Sequence, residues 1–209
     1  MYRFLIADDH TVVRRGLKQI LLEAFPSAFI EEVSDAEDLY KKVMREAWDV
    51  VISDISMPGR SGLEVLQQIR QDHPKLPVLI LSIYPEDQYA IRVLKAGASG
   101  YLTKDSAPEE LVKAINQLLL GKKYITSSIA EKLATILDPN SGKMAHEILS
   151  DREFEVMKQI AAGRSISDIA DKISLSVTTI STYRARIMVK MNLKTNADLT
   201  LYAIEYKLL

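Results

Sequence analysis

Cysteine is absent from the 209 residues, so disulfides, thiolate metal sites and cysteine nucleophiles are all excluded. That absence fits a reducing compartment. Glycine and proline are scarce, at eight and seven, which excludes a collagen-like, disordered or low-complexity chain. The longest apolar runs, such as Leu76 to Tyr84, fall well short of the ~20 residues a membrane helix needs. The amino terminus offers Arg3 and then only Phe4 to Ala7 before Asp8, too short and too soon acidic for a signal peptide. A cytoplasmic protein with no membrane partner is expected. No Gly-rich nucleotide cradle is present, so direct ATP binding is not expected. Histidines are few: His10 reads as a loop or cap residue, and His73 and His146 lie in polar stretches without ligand spacing. Trp48 and the seven methionines read as packing residues.

What is present is an ordinary globular composition, 47% hydrophobic and 26% charged. At roughly 150 residues per domain the length suits one large domain or two small ones, and the charge favours two. Residues 1 to 121 carry 14 Lys and Arg against 18 Asp and Glu, whereas residues 122 to 209 carry 13 against 10. The overall net charge of −1 therefore hides an acidic front and a basic back, compatible with a polyanion partner for the latter.

The front alternates short β-rich runs with amphipathic stretches of helical length. Strands are expected at Tyr2 to Ala7, Phe29 to Val33, Val50 to Ser53, Pro77 to Ser82 and Gly100 to Thr103; helices at about 11 to 24, 36 to 46, 61 to 72, 86 to 96 and 108 to 120. Such alternation argues for an α/β fold, a doubly wound five-stranded parallel sheet covered on both faces. In open sheets of this kind, chemistry collects outside the carboxyl ends of the strands. There the sequence places Asp8 and Asp9 after the first strand, Asp54 after the third, Ser82 at the fourth and Lys104 after the fifth. Each alone could be a cap or turn residue. Three carboxylates in one cleft repel each other unless a cation joins them, and an all-oxygen set suits a hard ion such as Mg²⁺. A carboxylate beside Mg²⁺ and an ammonium can attack a phosphoryl donor and become an acyl phosphate.

The pair Asp8-Asp9, the segment Asp54-Ile55-Ser56-Met57-Pro58-Gly59, Ser82, and Tyr101 three positions ahead of Lys104 resemble a bacterial two-component receiver domain of flavodoxin-like fold. The resemblance implies Asp54 as phosphoacceptor, Asp9 as direct metal ligand, Asp8 holding the metal mainly through water, and the Ser56 carbonyl completing the protein's ligands. It implies that Ser82 and Lys104 grip the attached phosphoryl group, and that Ser82 moves toward it while Tyr101 turns inward. Met57-Pro58-Gly59 is expected to turn. Many members of that family have proline after the lysine, commonly with a cis bond; here Asp105 follows Lys104.

After Gly121 the chain turns polar, with a candidate helix near Ser127 to Leu137 and a linker-like stretch from Asp138 to Lys143. Beyond it, Asp151 to Ala162, Ser167 to Ile173, Val177 to Met191 and Asn196 to Lys207 read as four helices of a second, all-α domain. Ser150 with Glu153 forms a capping box, and Ser165 with Asp168 a looser one. The pair Ile166 to Ile173 and Val177 to Met191, joined at Ser174-Leu175-Ser176, has the shape of a helix-turn-helix. On its second helix Ile180, Ile187 and Met191 face the core. Opposite lie Thr178, Ser181, Thr182, Ala185 and Arg186, small or polar enough to enter a major groove. Arg184, Lys190 and Lys194 flank them within reach of phosphates.

The strings Leu149-Ser150-Asp151-Arg152-Glu153, Ile169-Ala170 and Ser176-Val177-Thr178-Thr179-Ile180-Ser181-Thr182-Tyr183 resemble the LuxR-type DNA-binding domain. Ile166 and Thr178 depart from it, standing where that family often has Asn and Lys. Taken together, the chain resembles a NarL/FixJ-type response regulator: receiver at 1–121, linker with a short helix at 122–146, and helix-turn-helix domain at 147–209. The resemblance implies a transcription regulator of a two-component phosphorelay, with a sensor histidine kinase and double-stranded DNA as partners and RNA polymerase as a further one. The final helix carries two apolar stripes, Ala197, Leu201, Ile204 and Leu208 on one side, and Leu199, Tyr202, Ala203 and Tyr206 on the other. The second stripe is taken as the contact of a homodimer formed on phosphorylation or DNA binding. An aspartyl-phosphate enzyme is disfavoured, because the haloacid dehalogenase phosphatases place an Asp two residues after the nucleophile where Ser56 stands. A regulator with a vestigial pocket is disfavoured by the presence of all five pocket residues.

Overall fold

The computed structural model describes residues 1–57, 62–136 and 144–209. The expected turn residues Pro58 and Gly59 and the linker-like stretch 138–143 lie outside them. The chain divides into two compact units, Met1–Ile136 and Leu137–Leu209.

The first unit alternates strand and helix: β1 Arg3–Ala7, α1 Thr11–Ala24, β2 Phe29–Val33, α2 Ala36–Arg45, β3 Val50–Ser53, α3 Gly62–Asp72, β4 Val78–Ser82, α4 Glu86–Lys95, β5 Gly100–Thr103 and α5 Pro108–Leu119. All pairings are parallel, in the order β2-β1-β3-β4-β5. The order follows from right-handed crossovers that leave helices on both faces. The three inner strands read as near-continuous apolar runs because they are covered above and below; every residue of β3 and β4 is buried. By contrast β2 lies at the edge, buries only Val33, and carries Glu31 and Glu32, which pair with Lys42 and Lys18. Charges on an edge strand keep it from pairing with another chain. One face of the core joins Phe4, Ile6, Ile52, Leu79, Leu81 and Leu102 to Leu17 and Leu21 of α1 and to Leu111, Ile115 and Leu118 of α5.

A further helix, α6 Ser127–Ile136, belongs to this first unit. Tyr124 extends the sheet by a parallel bridge to Gly100. A Cβ on Gly100 would sit 3.0 Å from both Leu79 Cδ1 and Tyr124 Cβ, so any side chain there would press on both neighbours. Ile129 is buried, Thr126 donates to Glu86, and Lys132 Nζ donates to the Asp87 carbonyl at 2.9 Å.

The second unit holds a 3₁₀ turn at Ala145–Ile148 and then α7 Asp151–Ala161, α8 Ile166–Lys172, α9 Val177–Met191 and α10 Asn196–Glu205. Reciprocal capping boxes start α7 (Ser150, Glu153), α8 (Ser165, Asp168) and α10 (Thr195, Asp198). Each satisfies helix N–H groups that have no partner within the helix. Ser174, at φ 54°, makes the tight turn between α8 and α9. Ile180, Ile187 and Met191 are buried, as their shared face predicts.

The final helix corrects the expected dimer stripe. Leu199 and Ala203 are wholly buried, Tyr202 is half-buried, and Tyr206 stacks on Tyr202 at 4.4 Å between ring centroids. Leu199 and Ala203 are core, so they have no surface to offer a partner chain. The exposed stripe is the other one, with Leu201 at 67% and Ile204 at 60% exposure. Leu208 does not continue it. The helix stops at Glu205, Lys207 turns at φ 52°, and Leu208 N–H closes onto the Ala203 carbonyl at 2.8 Å, which tucks Leu208 into the core.

Candidate functional site

Because all five strands are parallel, their carboxyl ends share one edge. Backbone hydrogen bonds carry the ladder one step past the strands: Asp54 N–H donates to the Ala7 carbonyl, and Lys104 N–H to the Ser82 carbonyl, both at 2.8 Å. The residues that follow the strands therefore converge. Lys104 Nζ lies 2.6 Å from Asp8 Oδ2 and 2.7 Å from Asp54 Oδ2. Ser56 N–H donates to Asp54 Oδ1 at 3.2 Å. At α3, a Cβ on Gly62 would lie 2.2 Å from the Asp54 carbonyl oxygen; only glycine lets that helix start so close behind the site.

Asp8, Asp54 and Ser82 are almost fully buried, at 1%, 3% and 0% exposure. Burial pushes the Asp54 carboxyl up, and the Asp8 charge adds to this, while the hydrogen bond and charge of Lys104 and the Ser56 N–H oppose it; the net direction is up. Burial works to lower Lys104, but its two carboxylate partners outweigh it and raise it. Lys104 is thus held as ammonium. Asp8, Asp9, His10 and Asp54 each present a donor atom within 4.8 Å of the other three. Three carboxylates and one ammonium leave a surplus of negative charge in a buried place, and the carboxylate oxygens suit a hard dication. The residues present therefore fit the expected Mg²⁺.

The remaining predicted pocket residues also come together. Ser82 Oγ accepts from Tyr84 N–H at 3.2 Å, and Tyr101 O–H donates to the Tyr84 carbonyl at 2.7 Å. Tyr101 is fully buried, and burial raises its hydroxyl pKa. Among the described residues no peptide bond is cis, so the Lys104-Asp105 bond is trans. Sequence reasoning missed Arg14, whose Nη1 donates to the Asp8 carbonyl at 2.6 Å and whose Nε lies 3.7 Å from Glu32. Nothing in the chain order signals that contact. His10 is the N-cap residue of α1 as expected, but its side chain does not cap.

On the second unit, Thr178, Ser181, Thr182, Ala185 and Arg186 are exposed along one face of α9, and that helix contains no acidic residue. The Ser181 and Thr182 hydroxyls fold back onto the Val177 and Thr178 carbonyls at 2.9 and 3.0 Å. Lys194 is exposed. Two predicted flanking cations have protein partners: Arg184 Nε donates to Asn196 Oδ1 at 2.8 Å, and Lys190 Nζ to Glu153 Oε2 at 2.6 Å. Glu153 is 3% exposed; burial works to raise its pKa, but Lys190 and Ser150 overcome that and lower it.

A doubly wound parallel sheet with an acidic pocket bridged by a lysine, carried on one chain with a helix-turn-helix unit, defines a signal-receiving transcription regulator. Residues 4–116 match the family described as response regulator receiver domain, and residues 147–203 that of bacterial regulatory proteins, luxR family. Response regulator UvrY of Escherichia coli K12 is 35% identical over all of this chain and 96% of its own. The oxygen regulatory protein NreC of Staphylococcus carnosus is 36% identical over 99% of both chains. The structure of RcsB from Salmonella enterica serovar Typhimurium, bound to promoter rprA in the presence of phosphomimetic BeF3-, is similar at a TM-score of 0.65 and 27% identity, covering 97% of this chain and 98% of that one. The chain belongs to the NarL/FixJ-type response regulators. It is a transcription regulator. Among the described residues no helix is long and apolar enough to cross a membrane.

Two outcomes follow from the electrostatics. A carboxyl whose folded pKa is raised favours the fold when protonated and loses that contribution as pH rises through the raised value. Asp54→Asn is therefore expected to stabilise the metal-free protein at neutral pH by about 1 kcal/mol, with the gain shrinking toward acid pH; urea unfolding at several pH values measures it. Glu153 has the opposite sign. Its lowered pKa contributes stability above the ordinary value of 4.5 that is lost as pH falls through the folded value. Lys190→Met is expected to weaken amide protection across α7 at neutral pH by roughly 1–3 kcal/mol, because a buried acceptor loses its charged donor, and to flatten the acid dependence seen by hydrogen exchange.

Proposed function

We propose that a sensor histidine kinase phosphorylates Asp54 and that the acylated pocket controls sequence-specific DNA binding and transcription. The observation that carries this reading is the Lys104 ammonium shared between two buried carboxylates, 2.6 Å from Asp8 and 2.7 Å from Asp54. In the transfer an Asp54 carboxylate oxygen bonds to phosphorus as the donor's N–P bond breaks. Lys104 neutralises charge gathering on the phosphoryl oxygens, and the Ser82 hydroxyl donates to one of them. Asp8, Asp9, Asp54 and the Ser56 carbonyl would hold Mg²⁺, which when bound supplies further neutralisation of that same charge.

The signal leaves as a population shift: Ser82 drawn to the phosphoryl group and Tyr101 packed inward favour one of two arrangements already accessible to the fold. The inward Tyr101, bonded to the Tyr84 carbonyl, supports the existence of that packing. We assign the receiver proper to residues 1–121, with the segment 122–136 and its helix α6 packed onto it as part of the same unit, and the DNA-binding domain to residues 147–209. Thr178, Ser181, Thr182, Ala185 and Arg186 would face the major groove, with Arg184, Lys190 and Lys194 toward phosphates; Lys190 must leave Glu153 to do so. A homodimer on DNA places two such helices on half-sites about 34 Å apart. The exposed Leu201 and Ile204 supply its contact in place of the buried stripe. The regulator acts in the cytoplasm and presents bound promoters to RNA polymerase.

Incubation with acetyl phosphate and Mg²⁺ is expected to add one phosphoryl mass to the intact protein and none to Asp54→Asn; an unchanged wild-type mass overturns the reading. Arg186→Ala is expected to cost about 1–3 kcal/mol in operator affinity, measured by fluorescence anisotropy. Wild-type affinity should also drop steeply between low and moderate salt, as phosphate neutralisation requires.

A further inference from the structure

His10 begins α1 at φ −90° and ψ 109°, where an N-cap side chain ordinarily turns to the helix N–H groups, yet its side chain makes no such bond. The ring faces backward instead. Its Nδ1 lies 2.7 Å from Asp9 Oδ1 and 3.3 Å from Asp8 Oδ1. At 66% side-chain exposure the imidazole has water within reach on most sides, so its orientation reflects the acidic pair and not crowding. The loop holds that geometry: His10 N–H donates to Asp8 Oδ1 at 2.8 Å, and Arg14 fixes the Asp8 carbonyl from the next turn. Donor atoms of Asp8, Asp9, His10 and Asp54 lie within 4.8 Å of one another. One ion with bonds of about 2.0–2.3 Å reaches all four after small shifts.

We propose that His10 is a nitrogen donor of this cation site and that it tilts the site away from Mg²⁺ toward a borderline first-row dication. The inference rests on the reading of the pocket as a cation site. Mg²⁺ takes oxygen donors and parts with water reluctantly, so an imidazole adds little to its binding. Cobalt, nickel and zinc ions gain from imidazole nitrogen. A carboxylate triad already ranks divalent ions, and the imidazole of His10 widens the preference by a donor that Mg²⁺ gains little from. The residue thus sets which metal occupies the pocket in a cell where several compete, without touching the phosphoryl group itself.

Co²⁺ is the probe, with the full-length protein. Calorimetric titration is expected to give Co²⁺ binding about tenfold weaker in His10→Ala than in wild type, with Mg²⁺ binding changed less than twofold. Pulsed ENDOR of the Co²⁺-loaded protein, grown with ¹⁵N-labelled histidine, should show one strong ring-nitrogen coupling that is lost in His10→Ala. A histidine coupling absent from wild type, or Co²⁺ and Mg²⁺ affinities that fall by the same factor, overturns the proposal while leaving the oxygen-donor pocket standing. Wild type that takes up neither ion, or that binds both unchanged in Asp9→Asn, overturns the pocket reading beneath it. Circular dichroism of each variant separates lost ligation from lost fold.

Discussion

Asp8 and Asp54 are buried on neighbouring strands, close enough to share one ammonium, and neither can be ionised there cheaply without it. Lys104 answers that problem only because β5 ends level with β4, whose last residue pairs with Thr103. Like charges in low dielectric are unstable by construction, and the instability is the useful part. A pocket that holds surplus negative charge takes up a cation readily, and burial holds its acceptor carboxyl above the ordinary carboxylate range against the pull of Lys104. Stability has been given up at one sheet edge in exchange for chemistry.

The same edge is mechanically connected to the rest of the unit. Ser82 and Tyr101 both bond the backbone of Tyr84, and the Tyr84 ring stacks on Tyr89 of α4 at 4.4 Å between centroids. A shift of the serine hydroxyl therefore acts on the residues that lead into α4. On its outer side α4 meets α6 through Glu86, Asp87, Thr126 and Lys132. Contacts between two packed helices are discrete and not continuously deformable, which is the property a two-state signal requires.

In the second unit, stability and recognition draw on the same helix. α9 turns three apolar residues inward and presents hydroxyls and guanidiniums outward, and two of its basic side chains already have work within the fold. Arg184 ties α9 to the start of α10, and Lys190 neutralises the capping glutamate of α7. Lys190 illustrates how a residue with a helical register suited to DNA can be committed elsewhere by a partner 37 positions away. The hydroxyls of Ser181 and Thr182, bonded to their own helix, keep the outer face compact until a competing partner arrives.

The order of strands and helices, the polar residues at the strand ends and the capping boxes at Ser150 and Ser165 were legible in the chain. They depend on short-range physics: periodicity, capping and the rule that parallel strands end on one edge. Tertiary structure decided what that physics leaves degenerate. Two apolar stripes on α10 were equivalent by composition; packing against α7 buries Leu199 and Ala203, and the left-handed Lys207 turns Leu208 of the other stripe inward as well. From the chain alone helix α6 reads as part of a linker, but a bridge at Gly100 and the burial of Ile129 bind it to the sheet unit. His10 could cap or not cap; proximity to two carboxylates drew its ring away from the helix. In each case the deciding contact joins groups whose distance in space the chain order does not encode.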